Sequence, residues 1–127
     1  DTFKHINDTY GHATGDEVIK QVASIVSSTF RAVDHVCRIG GDEFAVILVE
    51  MTSAYKETVI TKIQKINDLL SQQNNALPQI SLSVGVAFSD RKTPGESIFK
   101  DADKALYYTK SHGKCGYTIY SDITEYL

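Results

Sequence analysis

Cysteine is scarce in this chain, with two in 127 residues, at positions 37 and 115. Two lone thiols so far apart make no disulfide framework, and a reducing cytoplasmic compartment is the modest inference. His5, His12, His35 and His112 show neither HxxxH spacing nor a cluster with the cysteines. A structural zinc site is therefore not expected, and any metal should be a hard ion held by carboxylates. There is no basic excess either: 13 Lys and Arg stand against 16 Asp and Glu, a formal net charge of -3. That balance gives no general positive field for a DNA or RNA backbone, although it leaves room for a local basic pocket. The longest apolar stretch, residues 44–49, is far short of a membrane span, and no signal-peptide pattern opens the chain. Repeats and low-complexity tracts are absent.

What is present is one domain's worth of ordinary globular sequence: 42% of residues are hydrophobic, enough for one core. The expected organisation is a single domain over residues 1–127, with about 121–127 as a C-terminal tail. Residues 1–8 suit a short helical turn, and residues 9–15, with two glycines, read as a loop. From Asp16 a helix is marked by Val18, Ile19, Val22, Ile25, Val26 and Thr29 at three- and four-residue spacing. Residues 33–39 and 43–49 are β-rich, and Gly40-Gly41 between them suits a two-residue primed turn. A second helix is expected over 53–72, with Tyr55, Val59, Ile63, Ile66 and Leu70 on one stripe. In the strand expected over 80–88, small residues (Ser81, Ser83, Gly85, Ala87) share one face, which implies close packing against something. Thr93 and Glu96 form a capping-box signature around Pro94. The helix behind it turns Ile98, Ala102, Ala105, Leu106 and Thr109 inward and ends near Gly113. Residues 117–120 make a last short strand. This order predicts an α+β or α/β domain with one mixed sheet covered by helices. A sheet of this kind calls for a further strand ahead of Asp1, since a missing first strand would leave an open edge.

The chemistry concentrates at Gly40-Gly41-Asp42-Glu43-Phe44. Glycines permit a tight turn and let a bulky ligand approach the backbone. Two acids at the head of an apolar strand are costly unless water, a cation or a donor meets them. A magnesium ion bridging a substrate phosphate satisfies both charge and geometry. An exposed hairpin with a soluble tip is the plainer alternative. Asp42 and Glu43 begin by pointing to opposite faces, so their roles should differ.

Gly40 to Phe44 spells the signature of the GGDEF domain family, the diguanylate cyclases, and four further segments resemble that family in order and spacing. Asp1-Thr2-Phe3-Lys4-His5-Ile6-Asn7-Asp8 is similar to its DxFKxIND segment. Tyr10-Gly11-His12 with Gly15-Asp16 is similar to YGHxxGD, and Ser83-Val84-Gly85-Val86-Ala87 to SxGxA. Asp103-Lys104-Ala105-Leu106-Tyr107 followed by Lys110 resembles ADxALYxAK. The resemblance implies an α+β fold of the ferredoxin-like, palm type, shared with nucleotide cyclases and polymerase palm domains. It implies an enzyme, a nucleotidyltransferase of bacterial signalling that joins two GTP into cyclic di-GMP and releases two pyrophosphates. Each 3′-hydroxyl attacks the α-phosphorus of the opposite nucleotide, so a homodimer is required.

The roles implied by the resemblance follow residue by residue. Asp42 and Glu43 are the catalytic acids and ligands of magnesium or manganese, two ions per active half-site, with another ligand two residues upstream of Asp1. Gly40 and Gly41 make room for the nucleotide. Asn7 and Asp16 read guanine: a carboxylate accepts from the N1 and N2 hydrogens, and adenine has no such donor pair. Turn or cap duty is the plainer reading of both. Phe3 and Lys4 belong to the phosphate loop. Lys110 and Lys114 look like the basic pair on the terminal phosphates; the family's usual arginine is replaced by Lys114, which loses the planar fork, and its usual asparagine by Cys115. Arg31 and Asp34 resemble the RxxD inhibitory site for cyclic di-GMP, the alternative being a surface ion pair worth at most about 1 kcal/mol. A sensor or regulatory domain outside the chain is implied, with attachment to a membrane protein open; DNA and RNA are not expected partners. A non-catalytic GTP or cyclic di-GMP receptor is the main rival, and an ATP-consuming cyclase or polymerase domain the third.

Overall fold

The computed structural model describes residues 2–40, 43–48, 51–72, 82–112 and 116–124. The elements are α1 (Thr2–Tyr10), α2 (His12–Thr29), β1 (His35–Gly40), β2 (Glu43–Ile47), α3 (Lys56–Ser71), β3 (Ser83–Val86), α4 (Ile98–Ser111) and β4 (Gly116–Ile119). Short 3-10 turns lie at Ser53–Tyr55 and Tyr120–Asp122. They form two compact units, one of Asp1–Val49 with Asp68–Ser81, the other of Glu50–Asn67 with Leu82–Leu127.

In the first unit α1 packs on α2, and the apolar stripe read from the sequence is the one buried. Val18, Ile19, Val22, Ile25 and Val26 of α2 are buried, as is Ile6 of α1; each such side chain contributes about 1.5–3 kcal/mol relative to exposure. The expected loop at 9–15 is instead a single residue, Gly11, between two helices. Gly11 has φ 91 and ψ 162, a region almost reserved for glycine. Its N–H donates to Asn7 O at 2.9 Å, and its O accepts from the Gly15 N–H at 3.1 Å. One residue thus breaks the helical course while both of its backbone groups stay bonded, which a propensity reading of two nearby glycines does not anticipate.

β1 and β2 pair antiparallel, His35 opposite Ile47 and Arg38 opposite Phe44. The register then shifts, so that Gly40 pairs with Glu43 and Ile39 is the extra residue of a bulge. The ladder therefore extends through Gly40, which the sequence assigned to the turn; Gly41 and Asp42 lie outside the described residues.

In the second unit β3 and β4 pair parallel, from Ser83 opposite Gly116 to Val86 opposite Ile119, with α4 as the connection between them. In place of the one mixed sheet expected, the described strands form two separate two-stranded ladders, antiparallel in the first unit and parallel in the second, with the helices of an α+β fold. The close packing implied by the small residues of β3 is realised at Gly85. A Cβ built there would collide with Ala102 O and Leu106 N and lie 2.8 Å from Leu106 Cα, so the α4 backbone rests directly on the strand. Ala105, Tyr120 and Ile123 form a buried cluster, with Ala87 and Tyr108 packed against it. Val59, Ile63 and Ile66 of α3 are buried as expected, as is Leu70 in the part of α3 that belongs to the first unit, whereas Tyr55 is 51% exposed and Ile98 47% exposed. The capping box at Thr93 and Glu96 is not the one used. The N-cap of α4 is Ser97, whose Oγ accepts the Lys100 N–H at 3.1 Å, because the helix starts at Ile98, later than the Pro94 signal suggested.

Candidate functional site

The sequence-derived residues divide between the units. Asn7, Asp16, Arg31, Asp34 and the Gly40–Glu43 end of the hairpin belong to the first, and Lys110 to the second. Gly41, Asp42 and Lys114 lie outside the described residues, as do the side chains of Phe3, Lys4 and Glu43. The backbones of Phe3 and Lys4 are helical, in the first turns of α1.

Asn7 sits inside α1, half-buried, and its Oδ1 is shut away from solvent with no hydrogen-bond partner among the described residues. An unmet buried acceptor costs about 1–3 kcal/mol. Asp16 stands exposed in α2, the helix packed on α1. Neither residue does the capping work that was its plainer reading. The N-cap of α2 is Gly11, without a side-chain bond, and Asn7 is linked to the junction through its backbone carbonyl alone. These two packed helices therefore carry a buried acceptor without a donor among the described residues and a solvent-facing carboxylate.

Arg31 and Asp34 are brought together by a fork. Arg31 Nη2 donates to Asp34 Oδ1 at 2.8 Å, and Arg31 Nε and backbone N–H donate to Oδ2 at 3.1 and 2.9 Å. The Asp34 side chain is fully buried while that of Arg31 is 40% exposed. The pair is thus more than the surface contact one reading expected: the carboxylate is buried and orients a guanidinium that still faces solvent.

Lys110 lies half-buried in the last turn of α4, where a cation suits the helix dipole. Thr109, beside it, is buried, and its Oγ1 donates to Val84 O at 2.9 Å and lies 2.8 Å from Thr118 Oγ1.

Asp101 was not marked out by the sequence. An acid in the first turn of a helix reads as dipole compensation, yet this one has no solvent exposure. Its Oδ2 accepts from Arg91 Nε at 2.6 Å and from the Gly95 N–H at 2.8 Å, and Arg91 Nη1 also reaches Phe88 O at 3.0 Å. Burial pushes the Asp101 carboxyl up, but the Gly95 N–H and the Arg91 guanidinium outweigh it and hold the acid below its ordinary value. This clamp fixes the loop entering α4. Asp90, in the same loop, accepts from Ser53 Oγ at 2.7 Å and Ser53 N–H at 3.0 Å, which lowers its pKa. Among the described residues no group of three or more His, Cys, Asp or Glu could hold a metal ion. Nor is any described helix long and apolar enough to cross a membrane.

Helices over small parallel and antiparallel ladders make this an α+β domain of the palm-like kind, and solved domains of that kind match it closely. The GGDEF domain of YfiN from Pseudomonas aeruginosa matches with a TM-score of 0.81 at 30% identity, covering 94% of this chain and 76% of that one. The GGDEF domain of DgcB from Caulobacter crescentus, solved in complex with c-di-GMP, gives 0.79 at 34% identity, covering 94% and 72%. The family model described as diguanylate cyclase, GGDEF domain, matches residues 1–115, and the chain belongs to that family. Diguanylate cyclase A of Treponema denticola is 37% identical over 116 residues, 90% of this chain and 31% of that protein. Diguanylate cyclase DosC of Escherichia coli K12 is 36% identical over 118 residues, 90% of this chain and 25% of its own length. The chain thus spans a quarter to a third of these curated relatives.

Proposed function

We propose that this chain is the catalytic domain of a diguanylate cyclase, condensing two GTP into cyclic di-GMP with release of two pyrophosphates. The observation that carries the reading is Asn7 Oδ1, a buried acceptor without a donor, on a helix packed against the one bearing the exposed Asp16. Guanine supplies N1–H and N2–H donors to both, and adenine lacks that pair. Phe3 and Lys4 at the start of α1 and Lys110 with Lys114 meet the β- and γ-phosphates. Gly40 and Gly41 leave the hairpin end clear of side chains for the nucleotide. Asp42 and Glu43 offer hard carboxylate oxygens, a donor set that fits magnesium or manganese; such ions, when bound, neutralise phosphate charge. Two copies of the domain face each other, each holding one GTP, and this placement aligns each 3′-hydroxyl with the opposite α-phosphorus. Each new P–O bond forms as the bond to pyrophosphate breaks and the hydroxyl proton leaves.

The test is incubation of the native protein with GTP and magnesium, with ATP as competitor. Cyclic di-GMP and pyrophosphate are the expected products, and nucleotide binding without product would instead mark a receptor. Asp16→Asn exchanges an ionic acceptor for an amide and should cost GTP about 10- to 100-fold in affinity, the scale of a charged hydrogen bond, with the preference over ATP reduced. An unchanged preference would remove Asp16 from guanine reading.

Product inhibition is proposed at Arg31 and Asp34. The exposed guanidinium, aimed by its buried partner, meets phosphate or guanine of cyclic di-GMP. Arg31→Ala is expected to leave the uninhibited rate intact while raising the cyclic di-GMP concentration needed for half-inhibition by about tenfold or more. Inhibition curves that superimpose on the wild type would count against the site.

A further inference from the structure

We infer that Thr109 is a positioning residue for Lys110, its hydroxyl setting where that lysine stands on the terminal phosphates of the nucleotide. The inference rests on the role proposed for Lys110 above.

The contact at Gly85 sets how close α4 lies to β3, since the helix backbone at Ala102 and Leu106 rests on the glycine. A flat contact of this kind does not by itself stop the helix from sliding or its end from fraying. Lys110 lies one residue before the helix ends at Ser111, where helices commonly fray. Thr109 supplies what is missing. It is 6% exposed, and its Oγ1 lies 2.9 Å from Val84 O on β3 and 2.8 Å from Thr118 Oγ1 on β4. Ala105 O of its own helix is farther, at 3.2 Å. A hydroxyl has one hydrogen to donate and lone pairs to accept. Thr109 therefore donates to Val84 O while the Thr118 hydroxyl donates to Thr109, tying the last turn to both strands of the parallel pair. The same turn is also closed on itself: the His112 ring stacks on Tyr108 at 3.9 Å, and its Nδ1 lies 2.8 Å from Tyr108 O. The backbone that launches Lys110 is thus tied to the strands through Thr109 and closed locally by His112, leaving the flexible lysine stem as the chief freedom.

The experiment uses the full native protein and two probes, the α,β-methylene analogue of GTP with magnesium and GMP, which lacks the terminal phosphates. Thr109→Val keeps the shape and removes the hydroxyl. It should weaken the analogue about 2- to 10-fold, the worth of one hydrogen bond, with GMP affinity unchanged; Thr109→Ser should restore the analogue. Equal losses for both probes, or none for either, would overturn the positioning role. If Thr109→Val fails to fold, Thr118→Val removes the β4 half of the tie and must show a loss of the same selectivity, smaller in size because the bond to Val84 O remains. Lys110→Ala separates the two levels. If it weakens the analogue while Thr109→Val does not, the inference fails alone; if it leaves the analogue unaffected, the phosphate role of Lys110 fails and the inference with it.

Discussion

Gly85→Ala is expected to destabilise the domain by about 3 kcal/mol or more, seen as a fall of about 10 °C in the thermal midpoint or as failure to fold. Overpacking in a core usually costs about 1–3 kcal/mol because side chains can shift to make room. Here the new methyl would meet backbone, namely Ala102 O, Leu106 N and Leu106 Cα, and backbone cannot rotate out of the way. The helix must lift from β3 along its length, which also pulls Thr109 away from Val84. The check is a melting curve of the purified variant beside the wild type. A midpoint within a degree or two would mean that α4 does not lie on the strand as described.

The second large effect concerns the acids of the hairpin. Under the proposed function, Asp42→Asn and Glu43→Gln should each lower cyclic di-GMP formation by at least about 100-fold, the scale seen when one group that stabilises reacting charge is removed. Both substitutions keep side-chain size and remove the charge that a hard divalent cation requires. Neither should move the thermal midpoint much, because the β1–β2 ladder is built from backbone pairing between Gly40 and Glu43 and onward to His35 and Ile47. Product formation followed over a magnesium titration gives the answer. Wild-type rates from Asp42→Asn at ordinary magnesium would remove that aspartate from the chemistry.

Features that repeat were legible in the sequence. The stripe on α2 announces a buried face through periodicity alone, and that face is buried; the small residues around Gly85 announce close packing, and the α4 backbone supplies it. Features that depend on one residue's surroundings were not. Gly11 looks like half of a glycine-rich loop, and only its φ of 91 reveals a one-residue break between helices. Asp101 resembles any acid at a helix start until Arg91 and Gly95, ten and six residues away, close over it. Ser97 displaced a stronger capping signature because the loop clamped by that ion pair sets where the helix begins. At the hairpin the motif identified the family, but the ladder takes in Gly40 past a bulge at Ile39, since alternation carries no mark of an inserted position. Arg31 and Asp34 read correctly as partners three apart, while the burial of the carboxylate came from tertiary packing.

Asn67, near the end of α3, offers its amide to the backbone of Leu82: Oδ1 accepts the Leu82 N–H at 2.8 Å, and Nδ2 donates to Leu82 O at 3.2 Å. That oxygen also receives the Gly116 N–H at 3.3 Å. A side chain here imitates a neighbouring strand, so the residue leading into β3 has neither backbone group left to recruit a foreign extended segment. Under the proposed function, in which two copies must meet in one productive arrangement, such plugging discourages association through the wrong edge.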